Sequence, residues 1–150
     1  MSQSNVFLET SVNRDPALFH PEAGEMFIKL ERRLQELYRE AYTRVHWKIF
    51  EGWRHPYRQN YLLLTKKTTR VGPFFSAHQF GLAVDFAGYI EQSKTFTWAI
   101  KSHEWGLLKQ EAQRAGLQVP ITWDPGHVQH PLWPMVFESM QFERPAILDS

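Results

Sequence analysis

The longest regular pattern in the chain is a run of apolar residues spaced three and four apart between residues 22 and 45. This spacing is typical of an amphipathic helix whose apolar stripe faces a core. Pro21 suits the start of such a helix, because proline at the first turn sacrifices no helical hydrogen bond. The sequence therefore predicts one helix over roughly residues 22–45, with its apolar face formed by Met26, Leu30, Leu34, Leu37, Tyr38, Ala41 and Val45.

Two later segments alternate with a period of two, which is typical of strands. The first begins at residue 47 and is predicted to end near Gly52, with one face made of Trp47, Ile49, Glu51 and Trp53. The second covers residues 82–87, where bulky side chains alternate with small ones. We expect its bulky residues to face the core and Asp85 to lie on the opposite face, framed by two alanines. The bulky residues are Leu82, Val84 and Phe86.

The remaining pattern predicts two more helices and a final packed segment. One helix starts at Pro56 and reaches about Lys66, before a loop around residues 72–73, and another covers residues 95–115 and ends at Gly116. The tail is expected to complete the core or a sheet edge through Leu132, Trp133, Met135, Val136 and Phe137. Because helices and strands alternate without the rhythm of a parallel sheet, the predicted class is α+β, with a short, mostly antiparallel sheet flanked by helices.

Composition narrows the possible functions. With 150 residues, we expect a single domain over residues 1–150, with about 20 peripheral residues at each end. A formal net charge of +1 offers a nucleic acid no broad electrostatic attraction, and an aromatic share of 15% argues against intrinsic disorder. The absence of cysteine excludes disulfides, thiolate nucleophiles and cysteine-ligated metals, so imidazole and carboxylate groups have to carry any chemistry.

Targeting segments are not evident from the sequence. The apolar run at residues 6–8 is far shorter than a signal-peptide core, and no stretch approaches the roughly 20 apolar residues of a membrane span. We therefore expect synthesis in the cytoplasm, with no signal peptide, so that action outside the cell would need another route out.

His78 is set apart from the other histidines because Asp85 follows seven residues later, with Gly81 between them. A turn at Gly81 would fold the imidazole back over the start of the strand, so that both side chains reach one point. A histidine and an aspartate at this separation also occur often by chance. Four histidines have no carboxylate at ligand-like spacing and are interpreted as surface or packing residues: His20, His46, His55 and His103.

A second cluster begins with Asp124-Pro125-Gly126, directly before His127. Asp-Pro-Gly is an ordinary β-turn sequence, and a turn alone is enough to explain it. The turn also places a carboxylate and an imidazole three residues apart, close enough to serve one metal ion and its water. Two histidines and one carboxylate are a known ligand set for catalytic zinc. This makes Asp124 the candidate base and gives three candidate ligands: His78, Asp85 and His127.

The choice of His127 over His130 rests on the period of a strand. In an extended segment the two histidines project to opposite faces, whereas His127 and Gln129 share one face. His127 also follows the turn directly and stays nearest to Asp124. His130 has a simpler interpretation as a packed residue beside Pro131.

Three segments together resemble a known family. Residues 76–85 match the motif S-x-H-x-x-G-x-A-x-D of the VanY-like zinc D-alanyl-D-alanine carboxypeptidases and L-alanyl-D-glutamate endopeptidases, which include many phage endolysins. Residues 124–129 resemble the family's second motif, with an acidic residue three positions before the last zinc ligand. Residues 51–54 and 58–59 resemble its E-G-[YFW]-R…R-Q segment. The resemblance covers about residues 18–130.

The resemblance implies roles for individual residues. It implies one zinc ion held by His78, Asp85 and His127. Asp124 takes the place of the catalytic acidic residue, and Arg54 that of the arginine which holds the substrate carbonyl and its developing oxyanion. Ser76 and Gln59 match positions near the substrate. The implied fold is that of the hedgehog and D-Ala-D-Ala peptidase type.

The implied function is a zinc metallopeptidase, a hydrolase of the bacterial cell wall. We expect an L-alanyl-D-glutamate endopeptidase that cuts the peptidoglycan stem peptide as a monomeric, bacteriolytic endolysin. The alternatives are a D-alanyl-D-alanine carboxypeptidase and, in another class, a catalytically silent module that binds wall peptide or has a structural role. Two features depart from the family: residues 116–123 lack a W-G-G-x-W stretch, and Asp124 stands where other members have glutamate. The shorter side chain requires the turn to bring it closer to the water.

Overall fold

A computed structural model describes residues 11–65 and 76–142. The predicted loop around residues 72–73 and the predicted end of the second helix at Lys66 lie outside these ranges. Within them, the helices are α1 (Gly24–Arg39), α2 (Pro56–Leu64), α3 (Ser102–Arg114) and α4 (Leu132–Phe142). The strands are β1 (Trp47–Glu51), β2 (Ala83–Ile90), β3 (Thr95–Thr97) and β4 (His127–Gln129). The α+β prediction is confirmed.

Helix α1 buries the predicted apolar stripe but ends earlier than the periodicity suggests. Ala41 adopts a left-handed conformation with φ of 65°, and the Tyr42 N–H donates to the Leu37 carbonyl at 2.9 Å. This pattern closes a helix at its carboxyl end. The prediction that the helix continues to Val45 is therefore wrong. The buried residues of α1 are Phe27, Leu30, Leu34 and Leu37.

Strand β2 is the centre of a four-stranded antiparallel sheet. Strand β1 pairs along one edge of β2, while β3 and β4 share the other edge, β4 beside its start and β3 beside its end. Leu82, Val84 and Phe86 are completely buried, as predicted, and so are Ala83 and Ala87. Both faces of the strand are thus covered, and the Asp85 carboxylate lies within the protein rather than on an open face.

The helix predicted over residues 95–115 begins later and contains only α3. Residues Thr95–Thr97 form strand β3 instead, because β2 runs beyond Ala87 to Ile90 and offers them a free edge. Threonine and phenylalanine fit such a half-buried strand well. The predicted end at Gly116 is confirmed, since this glycine has φ of 82° and directly follows Ala115, the C-cap of the helix.

The aromatic tail forms helix α4, where the sequence had suggested core packing or a sheet edge. Leu132, Trp133 and Val136 pack against the main core, whereas Met135 is 66% exposed, so the core prediction is wrong for Met135. Across the described helices, none combines the length and the apolar character needed to cross a membrane.

Candidate functional site

The His78 side chain is positioned by a short 3-10 turn, Ala77–Phe80, directly before β2. Ser76 caps the turn, since its hydroxyl accepts a hydrogen bond from the His78 N–H at 3.3 Å. Gly81 ends the turn with φ of 68°, and a Cβ there would lie 2.6 Å from the Leu18 carbonyl oxygen. Only glycine fits this position, which folds His78 back over β2 as the sequence predicted.

Asp85 and His127 come from neighbouring strands. They are direct partners in the register between β2 and β4, so their side chains lie side by side on one face of the sheet. A β-turn precedes β4, in which the His127 N–H donates to the Asp124 carbonyl at 3.1 Å. A Cβ on Gly126 of this turn would lie 2.5 Å from the Phe86 carbonyl oxygen. The turn is therefore packed tightly against β2, which holds Asp124 beside the cluster.

The three predicted ligands converge on one point. The His78 Nε2 lies 3.2 Å and the His127 Nδ1 3.5 Å from the same Asp85 oxygen, Oδ1. One ligand atom from each residue falls within 4.8 Å of the others, and all three side chains are buried. Across the described residues, this is the one group of three or more His, Asp or Glu side chains with such spacing. Two imidazoles and a carboxylate match the donor set of a catalytic zinc site.

Each of these side chains is also held from behind, as metal ligands usually are. The His78 Nδ1 lies 2.9 Å from the Gly52 carbonyl oxygen, and the His127 Nε2 lies 3.0 Å from the Gln129 Oε1. The outer oxygen of Asp85, Oδ2, accepts from an Arg54 Nη2 at 3.2 Å. The atoms that face one another across the cluster are thus left for a metal ion, and the residues present fit one.

The electrostatics favour the metal-binding forms of Asp85 and His78. Burial opposes the charge on Asp85, but the two histidines and Arg54 hold its pKa well below the usual range. Burial lowers the pKa of His78, and the Arg54 charge lowers it further. Burial also opposes a charge on His127, but the neighbouring Asp85 carboxylate and the contact with Gln129 raise its pKa. An ionised carboxylate and a neutral imidazole are the forms that bind zinc.

Asp124 is partly exposed and lies close enough to Asp85, His127 and Arg54 to interact with their charges. Burial and the negative charge of Asp85 raise the pKa of Asp124 to about 6, against the opposing charges of His127 and Arg54. A carboxylate with its pKa close to neutral can both take up and release a proton, which general acid–base catalysis requires.

Arg54 and Gln59 lie next to the cluster, on the side of Asp85 Oδ2, which is the oxygen that does not face the two histidines. Arg54 is 4% exposed and donates to Gln59 Oε1 and Glu51 Oε1, each at 2.9 Å, besides its contact with Asp85. Glu51 also accepts a hydrogen bond from Arg58. The resemblance implies that Gln59 contacts the substrate. In the structure its side chain is fully buried and accepts a hydrogen bond from Arg54. Ser76, which also matches a position near the substrate, caps the 3-10 turn that carries His78.

A β-bulge in β1 explains how Glu51 enters this network. Ile49 pairs with Phe86, but Glu51 pairs with the adjacent Asp85, so Phe50 is the extra residue. A bulge of this kind re-aims the side chains that follow it. The alternating pattern of β1 predicts only that Glu51 shares a strand face with two tryptophans, and this role in the network is not evident from it, although the residue opens the E-G-[YFW]-R segment.

The five other histidines lie outside the cluster. His20, His55 and His130 each accept, through Nδ1, a hydrogen bond from the backbone N–H two residues later. His46 stacks on Tyr38, and the side chain of His103 is 73% exposed. Their contacts agree with the interpretation of these histidines as surface or packing residues.

The fold of this chain is similar to that of several solved structures, although its sequence has no close match. No protein-family model matches the chain, and no curated protein matches its sequence. Among solved structures, the Serratia marcescens L-Ala D-Glu endopeptidase ChiX matches with a TM-score of 0.52 and 19% identity, over 80% of this chain and 86% of that one. The LD-carboxypeptidase LdcB, whose structure addresses peptidoglycan recognition, matches with a TM-score of 0.55 and 16% identity, over 81% and 64% of the two chains. The L,D-carboxypeptidase DacB from Streptococcus pneumonia gives 0.51 and 17%, over 81% and 74%.

These likenesses define the class of fold: a small α+β domain shared with an endopeptidase and two carboxypeptidases. The fold expected from the resemblance is thereby confirmed.

Proposed function

We propose that this protein is a zinc-dependent peptidase that hydrolyses a bond of the peptidoglycan stem peptide. The observation that carries the proposal is the convergence of His78, Asp85 and His127 around one point, with a fourth group, Asp124, whose pKa is raised to about 6. The shared fold with an L-Ala D-Glu endopeptidase supports the substrate class.

The three convergent side chains would hold the zinc ion in this scheme. When bound, zinc would act as a Lewis acid and make a water molecule more acidic. Asp124 would accept a proton from the attacking water and return it to the leaving amine.

Arg54 has two roles in the proposal. Its contact with Asp85 Oδ2 holds that ligand in place, and its charge lies close enough to lower the pKa of Asp124. Because Arg54 lies behind Asp85, its charge would act on the negative charge that develops on the substrate carbonyl oxygen through the electrostatic field of the site, without direct contact.

The proposed bond lies between L-Ala and D-Glu, and the proposed role is that of an endolysin. The resemblance of residues 76–85 and 124–129 to a family that includes endopeptidases of this kind supports it, together with the fold of ChiX. The likeness to two L,D-carboxypeptidases favours carboxypeptidase activity as the second candidate. In that case the same four residues would cleave a terminal D-alanine.

The decisive experiment is digestion of purified sacculi by the zinc-loaded protein, with the fragments identified by mass spectrometry. New D-Glu amino termini support the endopeptidase, and released free D-alanine supports a carboxypeptidase. Asp124→Ala is the matched control, because it keeps all three proposed ligands. If the zinc-loaded wild type releases neither product, the enzyme proposal fails and a binding module becomes the better explanation.

A fall in turbidity of cells with permeabilised envelopes tests the endolysin role separately. Stem-peptide cleavage without a fall in turbidity would contradict that role and leave the peptidase proposal standing.

A further inference from the structure

Gln129 occupies a fixed place next to the proposed ligands. It lies on β4 two residues after His127, and its side chain therefore projects from the same face. Its backbone N–H and C=O both pair with Gln118, each at 2.9 Å, and Ala83 is its partner on β2. With its backbone held on both sides and only 6% of the residue exposed, its side chain has little freedom to leave His127.

The contact between the two side chains selects one nitrogen of the imidazole. Gln129 Oε1 lies 3.0 Å from His127 Nε2, while His127 Nδ1 faces Asp85 Oδ1 at 3.5 Å. A neutral imidazole carries one N–H, and its other nitrogen holds a lone pair. When Nε2–H donates to the amide oxygen, the lone pair of Nδ1 points into the cluster.

His78 shows the same arrangement with the nitrogens exchanged. Its Nδ1 lies 2.9 Å from the Gly52 carbonyl oxygen, which can only accept, so a metal ion bound at Nε2 would leave the Nδ1–H paired with that oxygen. A metal ion in the cluster would therefore use opposite nitrogens of the two histidines, with the outer N–H of one facing a backbone oxygen and that of the other a side chain. Mutation can remove only the side-chain partner.

We propose that Gln129 is a positioning residue that fixes His127 in the tautomer protonated at Nε2 and thereby presents Nδ1 to a metal ion. The inference rests on the zinc site of the proposed function. An outer partner of this kind is typically worth 10- to 100-fold in metal affinity. Nothing in the proposal requires Gln129 to touch the substrate.

The test compares two substitutions of Gln129 by zinc titration against a competing chelator. Gln129→Met keeps the length of the side chain but removes the acceptor, and zinc should bind about 10- to 100-fold more weakly. Gln129→Glu can only accept, and it should bind zinc at least as tightly as the wild type. Gln118→Met is the matched control on the paired segment, and its affinity should not change. Thermal unfolding of each metal-free protein checks that it is folded.

A second readout needs no metal. Nitrogen-15 NMR of the metal-free wild type and Gln129→Glu, at a pH where the imidazole is neutral, should show His127 protonated at Nε2. Equal zinc affinity of folded Gln129→Met and wild type would overturn the proposal. Loss of zinc from Gln129→Glu, or protonation of His127 at Nδ1 in the wild type, would overturn it as well.

The failure of the two proposals can be told apart. A wild type that binds no zinc contradicts the proposed function, while the NMR measurement still reports whether Gln129 sets the tautomer. A wild type that binds zinc and cleaves sacculi, with zinc affinity unchanged in Gln129→Met, contradicts only the role of Gln129. If Gln129→Met does not fold, Gln129→Glu and the wild-type spectrum decide the question.

Discussion

Replacing Asp124 with asparagine should make the metal-free protein more stable at neutral pH while it abolishes the proposed catalysis. Burial and the Asp85 charge raise the pKa of Asp124 to about 6, so the folded protein disfavours the charged form. Asparagine keeps nearly the same volume and removes the charge. The substitution therefore removes the free-energy cost of burying an ionised carboxylate beside Asp85. The proposed catalytic role requires that carboxylate.

The size of the effect follows from the pKa. A rise from the ordinary value of 3.8 to about 6 corresponds to about 3 kcal/mol between the two protonation states. Because Asp124 is partly exposed, solvent screens part of this cost, and we expect about 1–2 kcal/mol. In a chain of 150 residues, that raises the melting temperature by roughly 2–8 °C.

The pH dependence has a definite sign. A carboxyl group whose pKa is raised in the folded state binds more protons when folded, so the wild type loses stability as the group ionises. The cost is absent below about pH 4, where Asp124 is protonated in both states, grows toward pH 6, and is complete above it. The advantage of Asp124→Asn should appear over this window and then level off.

The assay is differential scanning calorimetry of both proteins in chelator, at matched pH values from 4 to 7.5. Comparing the proteins at each pH cancels the other titrating groups. Asp124→Ser, which also lacks the charge but is smaller, controls for altered packing. No gain in stability for Asp124→Asn at pH 7.5, or a gain of equal size at pH 4, would show that ionisation of Asp124 does not destabilise the folded protein.

Three further results are expected. His78→Ala should lose both zinc and activity, whereas Asp124→Ala should keep zinc and lose only activity. Elemental analysis for zinc, together with the sacculus assay, distinguishes these two results. Full lytic activity of Asp124→Ala would exclude the role of Asp124 as the base. Gly81→Ala should lose at least about 2 kcal/mol in chemical denaturation, because φ of 68° is strained for alanine and its Cβ would press on the Leu18 carbonyl; unchanged stability would show that this turn is not constrained. Glu51→Gln should lower the free energy of unfolding by about 3 kcal/mol, because Glu51 is buried and pairs with Arg54. A loss below about 1 kcal/mol would mean that Asp85 alone compensates the Arg54 charge.

Much of the fold could be predicted from local patterns. The apolar stripe of α1, the alternation of β1 and β2, and the glycine that follows α3 all report on the immediate chain. The predictions fail where the secondary structure of a segment depends on a partner that is distant in the sequence. Residues 95–97 form a strand because β2 offers them an edge, and no pattern within those three residues shows that.

The candidate site divides in the same way. His78, Asp85, His127 and Asp124 were found because turns and strand alternation place them within short segments, and each segment matches a motif. The network behind them was not found, because Glu51 meets Asp85 only through a bulge and a strand pairing.

The residue types available for chemistry, and the two short segments that carry them, can be read from the amino-acid sequence without the fold. With no cysteine, only imidazole and carboxylate groups remained, and Gly81 and Gly126 marked the turns that present them. That these two segments meet in space follows from the folded arrangement of the strands. The register of β4 on β2 puts His127 beside Asp85, and burial of both then changes their proton affinities. Register and burial depend on the whole core, so no stretch of sequence encodes them alone.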